Sequence, residues 1–378
     1  MMTPNAPDSR PLVLHVIPSL GIGGAERFVI ELCDRLPWHG FRTKLLVLFG
    51  DGPLRTDVRM RNIRWSQVAP SIHTNRFTFV RHLERKIFTD IDRRPAIVHT
   101  HLFGADFWTL MARALHAPER LFSEQGVPYP RFLSTAHNID HEDSVIRHAV
   151  RRFSVHGYER IVSVSDAVRE YAIKNLGASP RRVMTIDGMS FLDAPPRPPV
   201  PFHDPPRFVT VARLVPQKGI ETALRALANV PPPWQYTILG GGVLERDLKE
   251  LAESLGIASR VRFMGASLRS PEILEESDVF LFPSRWEGLG SAVIEAASIG
   301  LPALVSDIPA LRSVFPESSR LPVDDPEAWT KAIRALLRTP DRVQASAQAL
   351  MPGIRSRFHP DTIVRQYAEV YRELLGGA

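Results

Sequence analysis

Cysteine occurs once in 378 residues, at position 33. An internal disulfide is therefore excluded, and no thiolate cluster is present for zinc. Cys33 falls on an apolar helical face with Phe28, Leu32 and Leu36, where a buried structural thiol is expected. Long hydrophobic runs are missing too, because nothing approaches the roughly 20 apolar residues that span a bilayer. The short run PLVLHVIPSL (11–20) leads into a glycine loop without a small-residue cleavage site, so it does not read as a signal peptide. An unsecreted, cytoplasmic protein without a transmembrane helix is the expectation. Aromatic residues do not interleave with the basic ones as stacking on bases requires, and nucleic acid is not an expected partner.

What is present is an ordinary globular composition, 44% hydrophobic, in a chain long enough for two cores. The net charge of +6 is uneven: 26 Lys+Arg stand against 19 Asp+Glu through residue 190, and 21 against 22 after it. The basic excess belongs to the first half, which points that half toward something anionic. Residues 76–94, RFTFVRHLERKIFTDIDRR, put Phe77, Val80, Leu83, Ile87 and Ile91 at helical spacing among Arg81, Arg85, Lys86, Arg93 and Arg94. The first reading is an amphipathic helix packed on its own domain. The second is a helix facing anionic lipid headgroups on the inner face of a membrane, or an acidic acceptor.

Short apolar runs alternate with helical patterns: VLHVI (13–17), KLLVLF (44–49), AIVHTH (96–101), RFLSTAH (131–137), RIVSVS (160–165) and RVMTI (182–186). This order predicts a parallel sheet with helices on both faces. The segment LDAPPRPPVPFHDPPR (192–207) is too rich in proline for helix or interior strand and reads as a linker. The grammar then restarts with RFVTVA (207–212), YTILG (236–240), RVRFMG (260–265), DVFLFP (278–283) and PALVS (302–306). The expected domains are 1–190, a linker at 191–206, a second domain at 207–358, and a closing helix at 359–378 that crosses the domain boundary. Two doubly wound α/β domains of this kind are expected to face a central cleft, with the carboxyl ends of their strands toward it. The last helix carries Ile363, Tyr367, Val370, Tyr371 and Leu374 on one stripe.

Unusual residues gather in the loops after these strands. SLGIGGAER (19–27) leads glycines into a helix, where backbone N–H groups and the helix amino end suit a phosphate. As a dinucleotide fingerprint it is incomplete, because Glu26 stands where a small residue belongs. ARLVPQKG (212–219) places Arg213 at a strand end and Lys218 before the next helix, two cations suited to a diphosphate or to solvent. EGLGSAVIE (287–295) sets two carboxylates around a glycine turn. Such a pair suggests sugar chemistry, although solvated surface glutamates are commoner.

Four features in one order, GGAER, ARLVPQKG, ILGGG and FPSRWEGLGSAVIEAASIGLPALVS, resemble the retaining glycosyltransferases of family 4, whose fold is called GT-B. The resemblance runs from about residue 12 to 375 and is most specific in the E-x7-E segment of the second half. It implies transfer of a sugar from a UDP- or GDP-sugar to an acceptor hydroxyl with retention, in polysaccharide or glycolipid synthesis. The nucleotide sugar is then the donor, and a glycan or lipid-linked molecule the acceptor. By resemblance Gly23 and Gly24 approach the donor phosphates, and Arg213 and Lys218 stabilise the diphosphate as leaving group. No metal and no further cofactor is then required.

The resemblance also has Glu295 holding the ribose, the backbone of Gly288, Leu289 and Gly290 supporting the phosphates, and Met264 meeting the base. Glu287 faces the transferred sugar, and His137 touches it near the reacting carbon. His137 and His141 in HNIDH invite a metal reading, but a strand end does not offer helical geometry. His99 and His101 share one face of a strand and read as structural or cleft-lining. Where relatives carry P-N-G-hydrophobic-D, this chain reads TIDGMSFLD (185–193), with Ser190 in place of the acid. A sugar phosphorylase and a non-catalytic nucleotide- or glycan-binding protein are the alternatives.

Overall fold

The computed structural model describes residues 8–50, 52–69, 75–89, 94–120, 129–139, 144–192, 194–267 and 269–376. The chain divides into two compact units, 1–188 with 360–378, and 189–359.

In the first unit strands and helices alternate: β1 Leu12–Ile17, α1 Gly24–Arg35, β2 Arg42–Phe49, α2 Arg55–Met60, β3 Trp65–Ala69, α3 Arg76–Phe88, β4 Ile97–His101 and α4 Leu102–Arg120. There follow β5 Arg131–Ala136, α5 Val145–Ser154, β6 Arg160–Ser163, α6 Asp166–Lys174 and β7 Val183–Thr185. All the strand pairings are parallel, in the order β3-β2-β1-β4-β5-β6-β7. The order reverses direction between β1 and β4, the switch point at which doubly wound sheets open a site. Every residue of β1 and β4 is buried, as expected for strands covered by helices on both faces. Leu14, Val16, Leu46, Phe79, Leu83, Val98 and Phe132 form one apolar layer, and Ile17, Val29, Ile30, Leu45 and Val47 another. Each such side chain contributes about 1.5–3 kcal/mol on burial.

The second unit runs through β8 Arg207–Val211, α7 Ile220–Ala228, β9 Gln235–Leu239, α8 Glu245–Ser254, β10 Val261–Phe263, α9 Ser270–Glu275 and β11 Val279–Phe282. It continues with α10 Ser291–Ser298, β12 Ala303–Ser306, α11 Pro309–Arg312, β13 Arg320–Leu321, α12 Pro326–Arg338 and α13 Pro340–Arg357. Its parallel sheet has the order β10-β9-β8-β11-β12-β13, with the switch point between β8 and β11. Its core packs Leu224, Trp234, Tyr236, Ile238, Leu281 and Trp329.

The chain then returns to the first unit as α14 Pro360–Leu374, which buries Ile363, Tyr367, Val370 and Tyr371 there. The proline-rich stretch expected as a linker is grouped with the second unit. Hydrogen bonds fasten it: Arg197 N–H donates to Ile299 O at 2.9 Å, and Gln348 Nε2 donates to Arg197 O at 3.0 Å. The buried Asp278 carboxylate also receives the backbone N–H of His203 and of Arg207. A stretch with no internal backbone hydrogen bonds keeps both N–H and carbonyl groups free for such bonds, so a proline run need not stand away from the domain beside it.

The basic helix α3 is capped by Asn75 Oδ1, which accepts from Phe77 N and Thr78 N. It buries Phe79, Leu83, Ile87 and Phe88 in its own unit and leaves Phe77 exposed. Ile91 and Arg93 lie outside the described residues. Among the described residues no helix is long and apolar enough to cross a membrane. Cys33 is buried, and desolvation pushes its thiol well up.

Candidate active site

In the second unit, every residue expected to meet the donor lies in a loop after the carboxyl end of a strand or within the helix beyond it. Arg213 and Lys218 follow β8, Met264 follows β10, and Glu287, Gly288, Leu289 and Gly290 follow β11. Glu295 lies in α10. The β8 and β11 loops flank the switch point, and side chains join them there. Lys218 Nζ lies 2.5 Å from Glu287 Oε1, with both side chains largely buried. The ammonium also stands 5.7 Å from the centre of the Phe282 ring.

Backbone contacts hold this pair in place. Gln217 is buried; its Nε2 donates to Trp286 O at 2.8 Å, and Arg285 N–H donates to Gln217 O at 2.8 Å. Arg285 Nε donates to Asp324 at 2.8 Å, and its guanidinium also reaches Glu221 and the carbonyl of Pro216. Those carboxylates hold the Arg285 pKa above its ordinary value, hydrogen bonding to Asp324 first. Gly219 ends the turn at φ 55°, and a Cβ there would collide with the carbonyl oxygen of Pro283. Only glycine therefore lets the PQK turn lie against the end of β11.

Beyond Glu287 the chain turns at Gly290, φ 85°, and enters α10. Leu289 and Glu295 are buried. Met264 is half-buried, and its N–H donates to Ile238 O at 3.0 Å. Arg213 is exposed on the loop directly after β8, where no side-chain partner fixes it among the described hydrogen bonds. Ser190, in place of the expected acid, is buried at the start of this unit, with its N–H on Phe358 O at 2.9 Å. Asp193 lies outside the described residues.

In the first unit, Gly23 caps α1 in extended conformation and Gly24 begins the helix. Glu26 folds its carboxylate back over this cap, so closely that a Cβ on Gly23 would clash with it. An anion bound at these amides shares the cap with that carboxylate. His137 follows β5 and is partly buried.

Register brings further histidines beside it. His15 of β1 is paired with His99 of β4, and His101 of β4 with Thr135 of β5. Alternation along β4 puts His99 and His101 on one face, as their spacing predicts. His15 Nδ1 lies 3.2 Å from His101 Nε2, and His101 Nδ1 lies 3.2 Å from His137 Nε2. His99 is engaged at both nitrogens, with Tyr371 OH at 2.7 Å and Thr135 Oγ1 at 2.7 Å. Desolvation holds His15 and His137 down at about 3, and it lowers His99 and His101 as well. All four rings are neutral at neutral pH.

The ligand atoms of His15, His99 and His101 lie within 4.8 Å of one another, close enough for one ion. However, both nitrogens of His99 and both of His101 already have hydrogen-bond partners, so the donor set reads as a network of imidazoles. His141, part of the HNIDH spacing, lies outside the described residues, as does Asp90-Ile91-Asp92, a D-x-D sequence.

On the opposite face of β4, Thr100 and Ser134 donate to the partly buried Asp106 carboxylate at 2.5 and 2.8 Å. Burial raises this carboxyl to about 6 despite those bonds. A cavity of about 790 Å³ lined by Leu110, Arg113, Tyr129, Phe153, Tyr158 and Arg160 opens at the amino end of β6, away from the strand-end loops. Size alone therefore does not mark the site; strand-end chemistry does.

Known proteins share the sequence pattern and the fold of this chain. The pattern of Glycosyltransferase Family 4 matches residues 22–188, and that of Glycosyl transferases group 1 matches residues 196–349. The lipopolysaccharide core biosynthesis glycosyltransferase LpsE of Rhizobium meliloti (strain 1021) is 26% identical over 93% of this chain and 96% of its own. The UDP-Gal:alpha-D-GlcNAc-diphosphoundecaprenol alpha-1,3-galactosyltransferase of Escherichia coli is 39% identical over 27% of this chain and 28% of its own. Anabaena Alr3699/HepE, solved in complex with UDP-glucose, superimposes with a TM-score of 0.81 at 17% identity, covering 96% of this chain and 99% of that one. WaaG, a glycosyltransferase involved in lipopolysaccharide biosynthesis, gives 0.71 at 15% identity, over 95% and 99%.

Proposed function

The chain belongs to glycosyltransferase family 4 and has the GT-B fold, and from that premise we propose that it is a retaining transferase using a nucleotide diphosphate sugar. The observation that carries this reading is the Lys218–Glu287 pair at the β8/β11 switch point. A cation and an acid held side by side suit a ligand whose phosphate and sugar are neighbours.

In the proposed reaction the bond between the anomeric carbon and the phosphate oxygen breaks, and its electron pair leaves with the nucleoside diphosphate. Lys218 and Arg213 stabilise that growing charge, a preorganised electrostatic role. The acceptor hydroxyl forms the new bond on the same face, and its proton passes to the departing phosphate oxygen. Glu287 holds sugar hydroxyls, Glu295 the ribose and Met264 the base. The backbone of Gly288, Leu289 and Gly290 supports the phosphates, as do Gly23 and Gly24 in the first unit. His137 touches the sugar near the reacting carbon. The two cations take the charge-neutralising role that a metal has elsewhere, so none is invoked.

The acceptor in this reading is a glycan or a lipid-linked glycan of a cell-surface polysaccharide, as the named functions of LpsE and the Escherichia coli galactosyltransferase suggest for their own substrates. Contact with an anionic membrane surface is assigned to α5. That helix exposes Val145, Ile146 and Phe153, and its sequence VIRHAVRRFS carries three arginines and no acid. The apolar side of α3 is buried instead, which leaves α5 the better candidate.

The test is a thermal-shift panel of nucleoside diphosphates and their sugars, followed by transfer assays with the donor that binds. A ligand selective for the native state raises the melting temperature by mass action. No shift with any nucleotide would sink the reading, and turnover supported by inorganic phosphate alone would replace it with a phosphorylase.

A further inference from the structure

The four histidines of the first unit carry more information than their burial. A neutral imidazole has one N–H and one lone pair, so it donates at one nitrogen and accepts at the other. His101 meets His15 at Nε2 and His137 at Nδ1, both at 3.2 Å. It can donate to only one of them, and the two bonds must therefore run in the same direction along the chain of rings.

The free end at His15 fixes which direction. His15 Nε2 is buried and has no hydrogen-bond partner among the described residues. If the bonds ran inward from His137, His15 would accept at Nδ1 and carry its proton on Nε2, as an orphaned buried N–H. If they run outward, His15 donates from Nδ1, and only a lone pair is left unfilled. Orphaned buried donors are the rarer and costlier fault. The outward direction follows. His99 does not compete, because Tyr371 OH and Thr135 Oγ1 hold both its nitrogens, and Tyr367 OH in turn meets Thr135 Oγ1 at 3.0 Å.

We propose that His15 and His101 are positioning residues that lock His137 as its Nδ1–H tautomer, so that it presents a proton donor rather than a lone pair to the sugar. The contact with the sugar rests on the function proposed above; the tautomer rests on the geometry alone. An N–H donor at this place binds a hydroxyl or ring oxygen of the donor sugar as acceptor. It does not serve as the base that removes the acceptor proton, because its lone pair is occupied by His101.

The test uses the full chain labelled with ¹⁵N-histidine and long-range ¹H–¹⁵N correlation spectra, which separate the two tautomers ring by ring. The expected result is Nδ1–H for His15, His101 and His137, the form that free neutral imidazole disfavours in water. His137 as Nε2–H in the unsubstituted protein overturns the proposal, and so does one tightly bound metal ion per chain that is lost in His101→Phe. In His101→Phe the His137 signal is expected to revert to Nε2–H, with kcat about tenfold lower, equivalent to one hydrogen bond at the transition state. His101→Asn, whose amide nitrogen can stand where Nδ1 stood, is expected to restore the Nδ1–H signal and most of kcat. The unsubstituted spectrum decides the tautomer even if His101→Phe fails to fold. Full turnover in His137→Ala would instead remove the sugar contact and leave the tautomer result standing.

Discussion

Lys218 and Glu287 are separated by 69 positions in sequence and by 2.5 Å between charged atoms. Each neutralises the other in a largely buried setting, so either one alone is an uncompensated charge. Arg285 and Gln217 hold the two loops in this register through five hydrogen bonds drawn from four other residues and each other.

Breaking that pair is expected to affect both folding and turnover. Lys218→Ala and Glu287→Ala should each lower stability by about 3–5 kcal/mol, with the double variant much less than additive. Urea melts of the three variants give the coupling energy. Strictly additive losses would mean that the pair does not interact in solution.

The two carboxylates of EGLGSAVIE should separate kinetically. Glu295→Ala is expected to raise the donor KM with little change in kcat, whereas Glu287→Ala should lower kcat by about 100-fold or more, as loss of a transition-state contact does. Steady-state kinetics with saturating acceptor make the comparison. Equal effects on both constants from both substitutions would contradict the assignment.

Gly219→Ala tests the turn without touching a charge. Its backbone at φ 55° costs a side chain about 1 kcal/mol, and the contact with Pro283 adds to that. A lower melting temperature together with weaker nucleotide binding is expected. A stable protein with intact affinity would show that the PQK turn has room to move.

Acid should loosen the first unit. His15 and His137 titrate at about 3 in the native state and near 6.5 when unfolded. Between those values the unfolded chain binds more protons, so stability falls as pH falls from about 6.5. Asp106, raised to about 6, works in the opposite direction, losing stability as pH rises from 4 to 6. With four lowered histidines against one raised carboxyl, the acid loss is expected to prevail. Melting curves from pH 7 to 5 should be shallower in pH for His15→Phe than for the parent, and parallel slopes would refute the linkage.

Vesicles containing phosphatidylglycerol should bind the protein through α5, more weakly as salt is raised. Val145→Ser with Phe153→Ser is expected to reduce co-sedimentation while leaving transfer to a soluble acceptor unchanged. Undiminished binding by that variant would move the contact to another surface.

Much of the fold was legible because buried parallel strands are short apolar runs and the helices between them keep their own period. Two strands escaped. WSQVA sets two polar residues, Ser66 and Gln67, side by side and so breaks both the apolar run and the alternation, and β13 is only two residues long. The glycine turns, cations and carboxylates were visible as exceptions at strand ends. Their partners were not: Arg285 is fixed by Asp324 and Glu221, which lie 39 and 64 positions away. His15 looked like one more member of an apolar run, since only the β1–β4 register reveals that it stands beside His99. Among its described residues the proline run is neither helix nor strand up to Pro206, as its composition requires, but its attachment depends on a buried aspartate distant in sequence.

The return of α14 to the first unit sets an order of events on the ribosome. Chains emerge amino end first and domains generally fold as units. Here residues 189–359 form a continuous segment that is complete before Pro360–Leu374 has been made. Until then His99 lacks Tyr371, Thr135 lacks Tyr367, and a strip of the first sheet waits uncovered. The half of the protein that is translated first is therefore the half that is finished last.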